Sequence, residues 1–234
     1  MMSTKKSKNT KMLSKSRLVT LFTSSRWQDV LQIFDDPSIN DNAKRMALMK
    51  IPSIHLACQY NAPFEAIQRL VNIGGKDLVM KRIASDSQYT ALHQACHCKE
   101  SFEVIKLLID VGGRELVMAK NGSGRTALSI YLSWHHYSGT NQASLQVVQL
   151  FLQGRVGVYG QELATMIDDR TGRYLLHVAS FDKAPLEVIQ YLIHLEQGQA
   201  QAQAQAQAHN KSRGRTRKGI LPCILPALQM HFLV

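Results

Sequence analysis

The chain has 234 residues, 45% of them hydrophobic, and its 28 Lys and Arg against 17 Asp and Glu leave a net charge of +11. That length allows one elongated domain or two compact ones with enough apolar content for a core. No run of about 18 apolar residues is present to span a bilayer, and LVTLF (18–22) is too short for a secretory h-region. The four cysteines are therefore expected to stay reduced, in an intracellular protein, cytoplasmic or nuclear.

The basicity is unevenly placed. Residues 1–17 carry Lys5, Lys6, Lys8, Lys11, Lys15 and Arg17 with no acid, and residues 209–219 carry Lys211, Arg213, Arg215, Arg217 and Lys218 with no acid. The remaining cations balance the acids, so a neutral body lies between two basic segments. The first is expected to be a disordered tail. Both attract polyanions weakly and without reading sequence. Nuclear import fits the same composition, and the acid-free residues 1–28 also fit an organelle-targeting peptide.

In chain order, residues 18–50 contain RWQDVLQIFDDP (26–37), an amphipathic helix with Trp27, Val30, Leu31 and Phe34 inward, stopped at Asp36-Pro37. From residue 51 the chain repeats itself. IPSIHLAC (51–58) superposes on YTALHQAC (89–96), FEAIQRLV (64–71) on FEVIKLLI (102–109), and Gly74-Gly75 on Gly112-Gly113, all at an offset of 38 residues. A third copy is RTALSIYL (125–132) with LQVVQLFL (145–152), and a fourth is RYLLHVAS (173–180) with LEVIQYLI (186–193).

Each copy predicts two helices. The first carries small residues where a neighbour approaches closely. The second bears an apolar stripe such as Phe102, Ile105, Leu108 and Ile109. Pro63 and Pro185 suit helix starts, Gly74 and Gly112 suit left-handed caps, and AKNGSGR (119–125) reads as a turn. One such pair cannot bury its own stripe, so neighbours must stack into a solenoid.

TALHQA (90–95), TALSIY (126–131), YLLHVA (174–179) and PSIHLA (52–57) resemble the ankyrin hallmark Thr-Pro-Leu-His-x-Ala. The resemblance covers roughly residues 51–195, with spacings of 38, 36 and 48 residues between copies where about 33 is usual. It implies an all-α, ankyrin-like solenoid of four helix-pair repeats. Residues 18–50 would then be an N-terminal capping half-repeat, and 196–219 a low-complexity Gln/Ala and basic linker, as helix extension or flexible chain. Residues 220–234 would be a degenerate fifth repeat, in which LPCILPAL (221–228) lies over IPSIHLAC with Leu225 in place of the His and forms a partly exposed apolar end.

The run HQACHC (93–98) invites a zinc reading, but the repeat explains its members singly. His93 aligns with His55 and His177 in the hallmark, where the resemblance implies a structural histidine, and Thr90 and Thr126 open the same motif. Cys96 aligns with Cys58 as a small core residue. No metal and no cofactor are expected. Nor is an enzyme: adjacent His97 and Cys98 point apart on a helix, GGK (74–76) and GGR (112–114) lack the phosphate-loop spacing, and Asp168-Asp169 reads as a turn former.

The resemblance further implies a concave face built from the first helices, used to hold another protein, with no small-molecule substrate. Carried over by position, that face includes Tyr60, His97, Cys98, Trp134 and Phe181. The third repeat departs from the pattern, with Ser129 in place of the His, Tyr131 in place of an Ala, and a longer connection SWHHYSGTNQAS (133–144). Trp134, His135, His136 and Tyr137 there are expected to form an aromatic binding spot. The alternative is a nucleic-acid- or chromatin-associated protein that binds through its basic tails.

Overall fold

A computed structural model of the chain describes residues 13–133, 144–153, 160–169 and 172–212. Trp134, His135, His136, Tyr137 and the segment 220–234 lie outside the described residues. The chain divides into two units, residues 1–195 and 196–234.

Among the described residues every regular element is a helix: α1 (Lys15–Thr23), α2 (Trp27–Asp35), α3 (Asp41–Met49), α4 (Ser53–Gln59), α5 (Phe64–Met80), α6 (Ala91–Cys98), α7 (Phe102–Val117), α8 (Ala127–Leu132), α9 (Leu145–Gln153), α10 (Gly160–Thr165), α11 (Leu175–Phe181) and α12 (Leu186–Ser212). The first unit is a solenoid of stacked helix pairs. The short first helices α4, α6, α8 and α11 pack in one row, and the second helices α2, α5, α7 and α9 in another.

The stripes read from the sequence are buried except at Phe102, which is half-buried while Val104 is fully buried in its stead. Ile105 and Leu108 are fully buried on α7, as are their counterparts Ile67 and Leu70 on α5. One apolar cluster runs from Leu18 through Leu192. Such stacking removes from water the faces that an isolated hairpin would leave wet, each large side chain contributing about 1.5–3 kcal/mol.

Each repeat holds a third helical piece. The double glycines break α5 and α7 in two: Gly75 (φ 61°) and Gly113 (φ 64°) occupy the left-handed region inside what is otherwise one helix. The preceding Gly74 and Gly112 do not serve as left-handed caps. A Cβ there would collide with Leu78 or Leu116, so close packing demands one glycine and backbone hand the other. After the break, Lys76–Met80 and Arg114–Val117 form short helices, and α3 and α10 stand at the same stage of the first and third hairpins. This added piece accounts for the repeat length above about 33.

Residues 18–50, expected as a half-repeat, hold most of a full set, α1 to α3. Lys15, Ser16 and Arg17, counted with the tail, open α1. Phe22 of α1 meets Trp27 of α2 edge-to-face at 5.4 Å. Ile33 is buried beside Val30 and Phe34, and Leu31 is only half-buried. In the second unit, Glu196–Ser212 belong to the helix α12, so the Gln/Ala run is helical, as the helix propensities of Gln and Ala favour.

Candidate partner-binding face

The hallmark residues join one repeat to the next. The backbone N–H of His93 is capped by the Thr90 hydroxyl, while the His93 ring returns to the Thr90 N–H through Nδ1 at 3.3 Å. With Nδ1 accepting, Nε2 carries the proton and donates to the carbonyl of Arg125, 3.1 Å away in the following repeat. His55 Nε2 likewise donates to the Tyr89 carbonyl at 2.9 Å. Burial holds both imidazoles neutral, lowering each to about 4. His177 is exposed, its ring 5.8 Å from Tyr174, and no further repeat follows it among the described residues.

The third repeat solves the same junction differently. Thr126 caps α8 through the Ser129 N–H at 3.2 Å. Ser129 is too short to reach across as a histidine does. Its hydroxyl donates to the Asp168 carboxylate at 3.2 Å, and that carboxylate pairs with Arg125 at 2.9 Å. Asp168 is only 4% exposed, so it is a buried acceptor as well as the base of a turn, where its N–H bonds the Arg173 carbonyl at 2.9 Å. Nothing in the sequence pairs Asp168 with Ser129, 39 residues away. The replaced histidine is the one local sign that its partner must differ too.

Tyr131, in place of the usual Ala, is also accounted for. It is buried, its hydroxyl accepts from the Ser144 N–H at 3.0 Å ahead of α9, and Lys99 Nζ lies 4.9 Å from its ring centroid. The far end of the long connection is thereby pinned to the first-helix row.

Of the side chains expected on the partner face, Phe181 at the end of α11 is 68% exposed, with the Arg173 guanidinium 4.3 Å from its ring centroid. Tyr60, His97 and Cys98 are half-buried. Tyr60 and Cys98 pack against the core, His97 meets the edge of Tyr89 at 5.8 Å, and Cys98 Sγ accepts from Gln94 Nε2 at 3.3 Å. Tyr89 stacks on His93 at 5.7 Å as well. It stands between a structural histidine and an accessible one, and position matching did not single it out.

The soft ligands of HQACHC go separate ways. Cys96 is fully buried and His93 is committed to Arg125. Burial pushes the Cys58, Cys96 and Cys98 thiols up, disfavouring thiolate. Among the described residues no three His, Cys, Asp or Glu side chains converge to hold a metal.

Charges that could rim the face are largely engaged between repeats. Arg82 donates to the Lys120 carbonyl at 2.7 Å, Lys120 to the Ile167 carbonyl at 3.2 Å, and Lys81 to the Ile51 carbonyl at 3.0 Å. The cations after the glycines do the same on the third-helix row. Arg45 pairs with Asp77, Lys76 with Glu115 at 2.9 Å, and Arg114 with Glu162 at 2.6 Å. In GGKD and GGRE the cation reaches forward and the acid receives from behind.

Helical hairpins stacked in register, each hallmark histidine but the last bonded to the next repeat, define a helical-repeat protein. A family model described as ankyrin repeats (3 copies) matches residues 54–141, so that stretch carries ankyrin repeats. No curated protein matches it. Ankyrin repeats are in general protein–protein interaction modules and typically non-catalytic. Among the described residues no helix is long and apolar enough to cross a membrane.

Proposed function

We propose that this protein is a non-catalytic intracellular adaptor that holds another protein on the concave face of its first-helix row. The observation that carries the reading is Phe181, a large apolar side chain 68% exposed on that row and flanked by a cation. Buried elsewhere in the row are the structural residues, and left accessible are an aromatic ring, His97 and Tyr60. Aromatic anchors of this kind dominate the energetics of protein interfaces. The aromatic spot expected at Trp134, His135, His136 and Tyr137 is included in the proposal from the sequence alone.

The test is a pull-down or proximity-labelling comparison of the full chain with a Tyr60→Ala/Trp134→Ala/Phe181→Ala variant. The adaptor reading expects loss of specific partners by a variant that still unfolds cooperatively. An identical partner set from both proteins overturns it.

A second reading is favoured by where the charge lies. Eleven cations sit in residues 1–17 and 209–219, which suits polyanion contact. Deleting residues 1–12 and 213–219, which spares α1 and α12, separates the two: the adaptor keeps its partner and the tail binder loses it.

A further inference from the structure

Between the turn after α4 and the turn after α6 lies a cavity of about 380 Å³, lined among others by Asn61, Phe64, Cys98, Lys99, Glu100 and Ser101. Both turns close through a left-handed residue, Asn61 (φ 52°) and Lys99 (φ 58°). The Glu100 N–H is anchored to the Ala95 carbonyl at 3.0 Å, which fixes that residue at the cavity wall.

Glu100 is half-buried, and its carboxylate accepts from the Ser101 N–H. Among the described residues it makes no ion pair. Its neighbour Lys99 turns to the next repeat, where its Nζ donates to the Tyr131 carbonyl at 3.4 Å and lies over the Tyr131 ring. Burial without a counter-ion pushes the Glu100 carboxyl up to about 7. A cation entering the cavity would relieve that cost by pairing with the charged form. Phe64, half-buried, lines the same cavity, and an aromatic ring attracts a flat cation. A guanidinium is planar and more weakly hydrated than an ammonium, so it suits this combination better.

We propose that this cavity takes an arginine side chain of a partner protein, its guanidinium paired with the Glu100 carboxylate and laid against Phe64. The proposal rests on the protein-binding reading above, yet it uses the turns between helices and is tested without any partner.

The experiment titrates the full chain with N-acetyl-arginine amide, following backbone amide signals by NMR. Saturable shifts are expected at Cys98, Glu100 and Ser101. Binding should be about tenfold weaker in Glu100→Gln and unchanged in Glu103→Gln, an exposed acid on α7. N-acetyl-citrulline amide, the neutral isostere, should bind at least as weakly to the unaltered chain, a comparison that needs no variant. Shifts that do not saturate, equal binding by Glu100→Gln, or equal binding of the citrulline or lysine amide would overturn the proposal. Because the probe is a small amide, that failure is distinguishable from failure of the Tyr60/Trp134/Phe181 comparison.

Discussion

His93 Nε2 and the Arg125 carbonyl oxygen are 3.1 Å apart and 32 residues apart, so one imidazole ties the second hairpin to the third. The bond needs the neutral ring with its proton on Nε2, because Nδ1 is already an acceptor for the Thr90 N–H. Protonation would place an unwanted donor against that N–H, which makes the junction sensitive to acid.

The pH dependence follows directly. His55 and His93 are lowered from 6.5 to about 4 by burial, so the unfolded chain binds protons more tightly than the folded one. Their contribution is complete above about pH 6.5 and is lost progressively as pH falls toward about 4. At about pH 5 each histidine is expected to lower stability by about 2 kcal/mol relative to about pH 7.5. Urea unfolding at the two pH values measures this. His93→Gln should be less stable at the higher pH and should lose less on acidification than the unaltered chain; an unchanged pH slope would refute the assignment.

Asp168 is the acid on which the third junction depends. Asp168→Ala leaves the Arg125 guanidinium, only about a fifth exposed, without its carboxylate counter-ion and the Ser129 hydroxyl without its acceptor. A loss of about 2–4 kcal/mol is expected. Ser129→Ala should cost about 1 kcal/mol. The double variant should cost less than the sum, since both remove one shared contact, and chemical denaturation of the four proteins checks the cycle.

The third-helix ladder should behave in the opposite way. Its side chains are about half or more exposed, so Lys76→Ala or Arg114→Ala should each change stability by no more than about 1 kcal/mol. Raising salt to about 1 M should erase what difference there is, because exposed pairs are screened. The Asp168→Ala loss should persist in the same salt.

Tyr131 can be tested at the end of the long connection. Tyr131→Phe keeps the buried ring and removes the acceptor for the Ser144 N–H, costing about 1 kcal/mol. Tyr131→Ala restores the small residue usual in the hallmark and yet is expected to cost about 3–5 kcal/mol, since it empties a site built around a ring. Hydrogen exchange at Ser144–Val148 should quicken in both, and more in the alanine variant.

The repeat pattern was legible because it is periodic and local. Ile105, Leu108 and Ile109 declare a buried stripe by spacing alone, although Phe102, read with them, is only half-buried and Val104 takes its place in the core, and the recurrence of His55, His93 and the double glycines declares stacking. The division of labour within Gly74-Gly75 was not legible. Which glycine needs a left-handed φ and which must leave room for Leu78 depends on where the helix breaks. The third helix was equally hidden, since Lys76–Met80 and Arg114–Val117 are short and carry no cap signal of their own. For the site, position matching pointed to Phe181, which is exposed, but not to Tyr89, which lies just outside the hallmark.

The sequence by itself determined that this chain is a stack of helical hairpins, because periodic burial and repeated motifs are properties of neighbouring residues. Only the tertiary structure decided which repeat contacts are histidine bonds and which is an ion pair, and which cations are tied to carbonyls. It alone left Glu100 beside a cavity without a counter-ion. Those outcomes depend on distances between groups 30 or more residues apart, and no local pattern encodes a distance of that kind.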